Sequence, residues 1–384
     1  MRARADVGGR TLELDDGVLA PFEEELARLG EQPPVRRALA AAHVVMRAEY
    51  ASVDHAPDRP GSPQEICAHV DWAATMELRR RLDRLGLGVA EAMDTAQRFE
   101  IGWTGAKRLI EETGRLGLAQ PFMAGASADQ RGRIRSREDL IDGVLEQASF
   151  LRVHGGEPIL LPMTWLARER LDEDDYVEVY GEIVRRADGP LWIHWLGEEF
   201  LPELAGYFPG RSFERVMALD REKVRGVKIS LLDAAREIAI RRALAPHGQL
   251  VLTGDDLHFA DLIAGDEQGS SHALLGILDA VARPASLALR FLAHGRRDRF
   301  LELMRPCEEL GRHVFSAPTR HYKAGLALLS WLNGLQENPM LPNHAERTRD
   351  RDHYARCAEL ASRAGAIEDA KRAANRLATL FARG

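Results

Sequence analysis

The chain has 384 residues, and its 52 Lys plus Arg against 59 Asp plus Glu give a formal charge of −7. A hydrophobic fraction of 45% is enough to bury a full core and excludes global disorder, while the acidic balance argues against a general nucleic-acid binder. No apolar run nears the roughly 20 residues that span a bilayer, so no membrane partner is expected.

Met1–Arg10 has neither the apolar core nor the cleavage signature of a secretory leader. Cys67, Cys307 and Cys357 are widely spaced and form no CxxC pair, so neither a disulfide framework nor a thiolate zinc site is expected, and a reducing, cytoplasmic setting is. Residues 1–35 read as an extension, punctuated by Pro33-Pro34. From there short apolar runs alternate with segments of helical period. The runs are Ala42–Met46, Gly88–Met93, Pro121–Gly125, Pro158–Met163, Pro190–Leu196, Val224–Ser230, Leu250–Thr253 and Ser270–Leu275. The helical segments between them include Trp72–Leu85, Ala106–Gly117, Leu140–Val153, Tyr176–Ala187 and Ala234–Leu244. Eight strands, each followed by a helix, predict a closed (β/α)8 barrel over residues 36–283. An open doubly wound sheet is disfavoured because no Gly-rich phosphate turn follows a strand. Residues 284–384 read as additional helices: Ala285–Leu292, Asp298–Val314, His321–Leu332 and Asp352–Phe381, with a polar loop at Glu337–Thr348.

Chemistry in such barrels sits at the C-terminal strand ends. In Arg225–Leu231, Val227, Ile229 and Leu231 share one face, and Gly226, Lys228 and Ser230 share the other. The apolar face packs on the helices, which turns Lys228 into the barrel. Partial desolvation there frees the amine as a nucleophile and a Schiff-base former; the plainer alternative is a lysine paired for structural reasons. His194 shares a face with Trp192 and is a candidate base, substrate donor, metal ligand or core histidine. After Thr253-Gly254, one of Asp255 and Asp256 is expected to cap the next helix, and the other is open to substrate. Glu91–Arg98 closes the second strand with Asp94, Thr95, Gln97 and Arg98. Asp94 or Thr95 serves as an N-cap or a substrate contact, and Arg98 as a carboxylate fork or a surface charge. His43, Glu91, His194 and Asp255 form a loose metal set without compact spacing, so no metal and no other cofactor is expected; if a metal binds, Glu91, His194 and Asp255 are its first ligands.

The order of these motifs resembles the dihydrodipicolinate synthase and N-acetylneuraminate lyase superfamily. Gly226-Val227-Lys228 is similar to that superfamily's Gly-Ile-Lys on the sixth strand, and Thr253-Gly254-Asp255-Asp256 to its Ser-Gly-Asp-Asp on the seventh. Phe122–Ala126 is similar to its third-strand Val-Ile-Ala-Gly-Val, and Tyr322–Leu326 to the Lys-Ala-Ala-Leu element of its C-terminal helices. Val89–Arg98 and His194–Glu198 resemble an uncharacterised bacterial subfamily of these barrels, to which no reaction is attached. The resemblance implies a class I lyase, an aldolase or dehydratase with Lys228 as the imine-forming residue. Its substrate would be a small, sugar-derived carbonyl compound, and the assembly a homo-oligomer. Ser230, Thr253, Asp255 and Asp256 join Asp94, Thr95, Gln97 and Arg98 as the expected substrate contacts. Met93–Gln97 replaces the superfamily's Gly-Thr-Thr-Gly-Glu, with Thr95 matching one threonine. Thr164 stands where the proton-relaying tyrosine is usual, which leaves the proton to His194. A metal-dependent sugar isomerase or epimerase, or a non-catalytic sugar-acid-binding barrel, is the alternative on the same fold.

Overall fold

The computed structural model describes residues 1–93 and 97–382. Two strands, β1 (Arg2–Asp6) and β2 (Thr11–Asp15), form an antiparallel hairpin. Eight more follow: β3 (Ala38–Ala40), β4 (Gly88–Glu91), β5 (Phe122–Ala126), β6 (Glu157–Leu160), β7 (Leu191–Leu196), β8 (Val224–Ser230), β9 (Leu250–Thr253) and β10 (His272–Leu275). These eight pair in parallel and close as β10-β3-β4-β5-β6-β7-β8-β9, with helices between successive strands. The expected (β/α)8 barrel and the extra C-terminal helices are therefore present.

Strand alternation sorts the side chains. Leu39, Ala90, Met123, Ile159, Trp192, Leu252 and Leu274 pack together as an inner cluster. Their neighbours Ala40, Val89, Ala124, Leu160, Ile193, Val251 and Ala273 pack outward with the helices. Gly226 permits the inner packing, because a Cβ there would lie 2.1 Å from the Leu250 carbonyl oxygen and 2.8 Å from the Trp192 ring.

The first barrel strand differs from its expected position at Ala42–Met46. The ladder stops at Ala40, and the next residues climb out of the barrel. Their N–H groups are taken by side chains instead of a neighbouring strand: His43 N donates to Asp279 at 3.2 Å, Val44 N to Gln97 at 2.9 Å and Val45 N to Thr75 at 3.0 Å. An apolar run thus looks like a strand while its backbone partners are polar side chains from distant segments.

The N-terminal hairpin packs on the last two helices, Arg351–Arg363 and Ala370–Ala382. Asp15 N donates to Ser362 Oγ at 2.8 Å, and Ala370 N to an Asp16 carboxylate oxygen at 3.0 Å. The two ends of the chain thus form one layer. Among the described residues no helix is long and apolar enough to cross a membrane.

Candidate active site

β7 and β8 pair with His194 beside Lys228, and both side chains lie on the inner face, one pleat above Trp192 and Gly226. Lys228 is 5% exposed. Gly254 lets it lie there: a Cβ on Gly254 would sit 2.8 Å from Lys228 Cε and 2.1 Å from Ser230 Oγ. His194 is fully buried, with Nε2 3.3 Å from Ser230 Oγ.

The two neighbouring acids part company here. Asp255 accepts from Leu257 N at 2.9 Å and His258 N at 3.1 Å, and its second oxygen meets His258 Nδ1 at 2.9 Å. It caps the turn that enters the helix Phe259–Ala264. Asp256 accepts from Ile277 N at 2.8 Å. Burial pushes its carboxyl up to about 7, against the opposing pull of the Lys228 ammonium. Asp256 is thus the acid of the pair that feels the Lys228 ammonium.

Several expected contacts are engaged elsewhere. Glu91 points outward from β4 and pairs with Arg79 of the helix Trp72–Arg84, at 2.7 and 3.0 Å, both residues being fully buried. It is turned away from the mouth, which removes it as a metal ligand there. Thr253 also faces outward and donates to Glu237 at 2.9 Å. Arg98 is fully buried, and all five of its N–H donors are used. It holds Asp129 through two bonds at 2.8 and 2.9 Å, Gln147 at 2.6 Å and the carbonyls of Ala92 and Gly125 at 3.1 and 3.0 Å. A planar guanidinium with no donor left does not grip a substrate carboxylate. His43 lies between Asp279 at 2.6 Å and Gln336 Oε1 at 2.7 Å. Gln336 is fixed by its own donation to Asn338 O, so both ring nitrogens of His43 face acceptors. The four residues of the loose metal set therefore do not converge. Asp94 and Thr95 lie outside the described residues.

A cavity of about 220 Å³ opens at the strand ends, lined by Gln97, Glu100, Leu196, Phe200, His321 and Lys323 among others. Lys323 opens the helix Lys323–Leu332 and is its one charged residue, a signal the sequence carried for it. It is 4% exposed, and its ammonium donates to the carbonyl of Ala41, just past β3. Burial draws it down to about 8, against the pull of Asp279. Burial also pushes the Glu100 carboxyl above its usual range, and Lys323 opposes that rise. Sequence reasoning had not singled out Glu100. Thr164 opens the helix Thr164–Arg168 and lines an adjoining cavity of about 520 Å³; Phe99 and Leu201 line both.

The buried acids make a testable pattern. Asp256 and Glu237 are both pushed up to about 7 from ordinary values of 3.8 and 4.5, chiefly by burial. Between about pH 4.5 and 7 the unfolded chain has released these protons while the folded chain keeps them, so stability falls as pH rises through that window. Asp279 works in the opposite sense. Burial raises it, but His43 prevails and holds it at about 2, so its contribution is present above 3.8 and is lost as pH falls. Asp256→Asn and Glu237→Gln are each expected to flatten the fall, read as urea midpoints at about pH 4.5 and 7.5. An unchanged slope in both variants would mean that these carboxyls titrate normally.

The sequence family described as a protein of unknown function (DUF993) matches residues 16–384. No curated protein matches the sequence. Among solved structures, the chain is similar to N-acetylneuraminate lyase from Fusobacterium nucleatum complexed with pyruvate. That match has a TM-score of 0.62 and 15% identity, and covers 85% of this chain and 96% of that one. It is similar to the chloride-inhibited dihydrodipicolinate synthase from Acinetobacter baumannii complexed with pyruvate, at 0.61 and 15%, over 87% and 99%. Sialic acid aldolase from Ruminococcus gnavus matches at 0.60 and 16%, over 86% and 97%. At these identities the likeness establishes the fold.

Proposed function

We propose that this chain, which belongs to the DUF993 family, is a lyase that forms a Schiff base between Lys228 and a small, sugar-derived carbonyl compound. The observation that carries the reading is the position of Lys228: on the inner face of β8 between Gly226 and Ser230, against Gly254, with the buried Asp256 carboxyl near it. The structures it is similar to, a lyase and an aldolase among them, support the same chemistry.

The amine adds to the carbonyl carbon and gives a carbinolamine. Loss of its hydroxyl as water leaves the imine, which then accepts the electron pair of a breaking C–C bond, or of a C–H bond before dehydration. The ammonium of Lys228 must first give up a proton. Asp256, with its carboxyl near 7, is matched to take it near neutrality. The departing hydroxyl needs a proton in return, and the His194 imidazole, hydrogen-bonded to Ser230 beside Lys228, passes it. Gln97 and Glu100 face the cavity above as the polar contacts for substrate hydroxyls.

Borohydride reduction in the presence of a panel of aldoses, ketoses and keto acids tests the reading. A stable mass increase on the Lys228 peptide with one class of carbonyl is the expected result. Absence of any adduct across the panel would overturn it. His194→Gln is expected to lower turnover roughly 10²–10⁴-fold, the usual worth of a proton carrier, and to slow adduct formation. A near-normal rate would return His194 to a packing role.

A further inference from the structure

The C-terminal helices hold a second cluster of chemistry-bearing side chains, unconnected to the reaction above. His353 and Cys357 are four residues apart on the helix Arg351–Arg363, so they share one face. His313 comes from the last turn of the neighbouring helix Arg297–Val314. One ligand atom from each of the three lies within 4.8 Å of the others. The two imidazoles stack with centroids 4.3 Å apart and planes 24° from parallel.

The hydrogen bonds around the two imidazoles fit a cation between them. His313 Nε2 faces the His353 carbonyl at 3.0 Å, so that nitrogen is the donor and Nδ1 is the one available to a ligand. A ring N–H held by a backbone carbonyl is the usual outer support of a metal-bound histidine. His353 Nε2 is buried without a hydrogen-bond partner, a state that is costly for a polar atom. The Cys357 thiol is fully buried and forms no disulfide. A bound cation would displace its proton.

We propose that His313, His353 and Cys357 form a binding site for a borderline-soft divalent cation of the zinc class. Two imidazoles and one thiolate are a zinc donor set, with water in the fourth position. Bond lengths of that set place neighbouring donors roughly 3.3–3.6 Å apart at a tetrahedral centre, so binding draws the three side chains together and turns the stacked rings until both lone pairs meet the ion. Nothing in the sequence spacing announces the site, because His313 precedes the His-x-x-x-Cys pair by forty residues. The two helices are brought together by packing and by the ion pairs of Glu309 with Arg356 and Arg363.

The site has a structural consequence for the barrel mouth. Arg349, next to the pair, donates to the carbonyls of Ser316, Ala317 and Pro318. Those residues lead directly into His321 and Lys323, which line the mouth cavity. A cation joining the two helices would therefore brace the segment that carries Lys323 to its place.

The test uses the full chain, purified with chelator and dialysed against zinc. One equivalent of zinc per chain by elemental analysis is expected. Cobalt substitution should give a thiolate-to-cobalt charge-transfer absorption that Cys357→Ser removes and Cys67→Ser leaves intact. His353→Gln should weaken zinc by more than about 100-fold, beyond the 10–100-fold that loss of an outer partner costs. His313→Gln, at a half-buried position, provides a third variant should a buried one fail to fold; circular dichroism of each variant identifies that failure. Absence of stoichiometric zinc in the folded wild type, or equal zinc retention by the Cys357 and His353 variants, would overturn the proposal.

Discussion

Lys228→Arg is expected to abolish the borohydride-trapped adduct and to lower turnover by a factor on the order of 10⁴ or more, the scale of losing a covalent nucleophile. The variant keeps a cation beside Asp256 but has no amine to form an imine. Space is the competing effect. The side chain lies against Gly254, where even a methyl group would come within 2.8 Å of Lys228 Cε, so the larger guanidinium has little room. Lys228→Met therefore belongs beside it, being of similar length and uncharged. In the Met variant Asp256 loses the ammonium that holds its carboxyl down, so that carboxyl moves further up and stays neutral. Both variants should be folded and both inactive. An Arg or Met variant that still turns over, or an adduct that persists on another residue, would sink the Schiff-base mechanism at this position. Persistence on Lys323, the other buried amine of the mouth, would move the chemistry there.

Arg79→Met is expected to destabilise the protein by about 3–5 kcal/mol, the scale of leaving a buried charge without its partner. Arg79 uses all five of its donors: two bonds to Glu91, and others to the carbonyls of Ala42, His43 and Thr75. Removing it strands the Glu91 carboxylate on the outer face of β4, where Thr113 Oγ1, donating at 2.8 Å, is its remaining partner. It also unties the segment after β3, whose backbone has no ladder to hold it. Glu91→Gln added to Arg79→Met should recover part of the loss, because the stranded charge is then gone. Urea denaturation of the two single variants and the double variant gives the coupling. A loss below about 1 kcal/mol in Arg79→Met would mean that water reaches Glu91 and that the pair is not dry.

The barrel was legible in the sequence because its signal is periodic and local. Seven of the eight strands lie at or within a few residues of the expected runs, and β8 coincides with Val224–Ser230. Period-two alternation in that run was also enough to turn Lys228 inward, since a strand's faces follow from one residue's orientation. Alternation does not say what a polar residue at the strand end will meet. Glu91, Arg98, Thr253 and Asp255 have the residue types of a site, yet their partners are Arg79, Asp129, Glu237 and His258, contributed by other segments or the following turn. Whether a carboxylate or a guanidinium is available to a substrate depends on how many of its donors and acceptors are already satisfied, and only packing sets that count. The same reason hid the His313, His353 and Cys357 cluster. The sequence by itself determined the periodic elements, their order and the inward lysine. Tertiary structure decided which of two adjacent aspartates faces that lysine, which arginine is spent on the scaffold, and which groups from distant helices meet, because these depend on contacts between residues far apart in the chain.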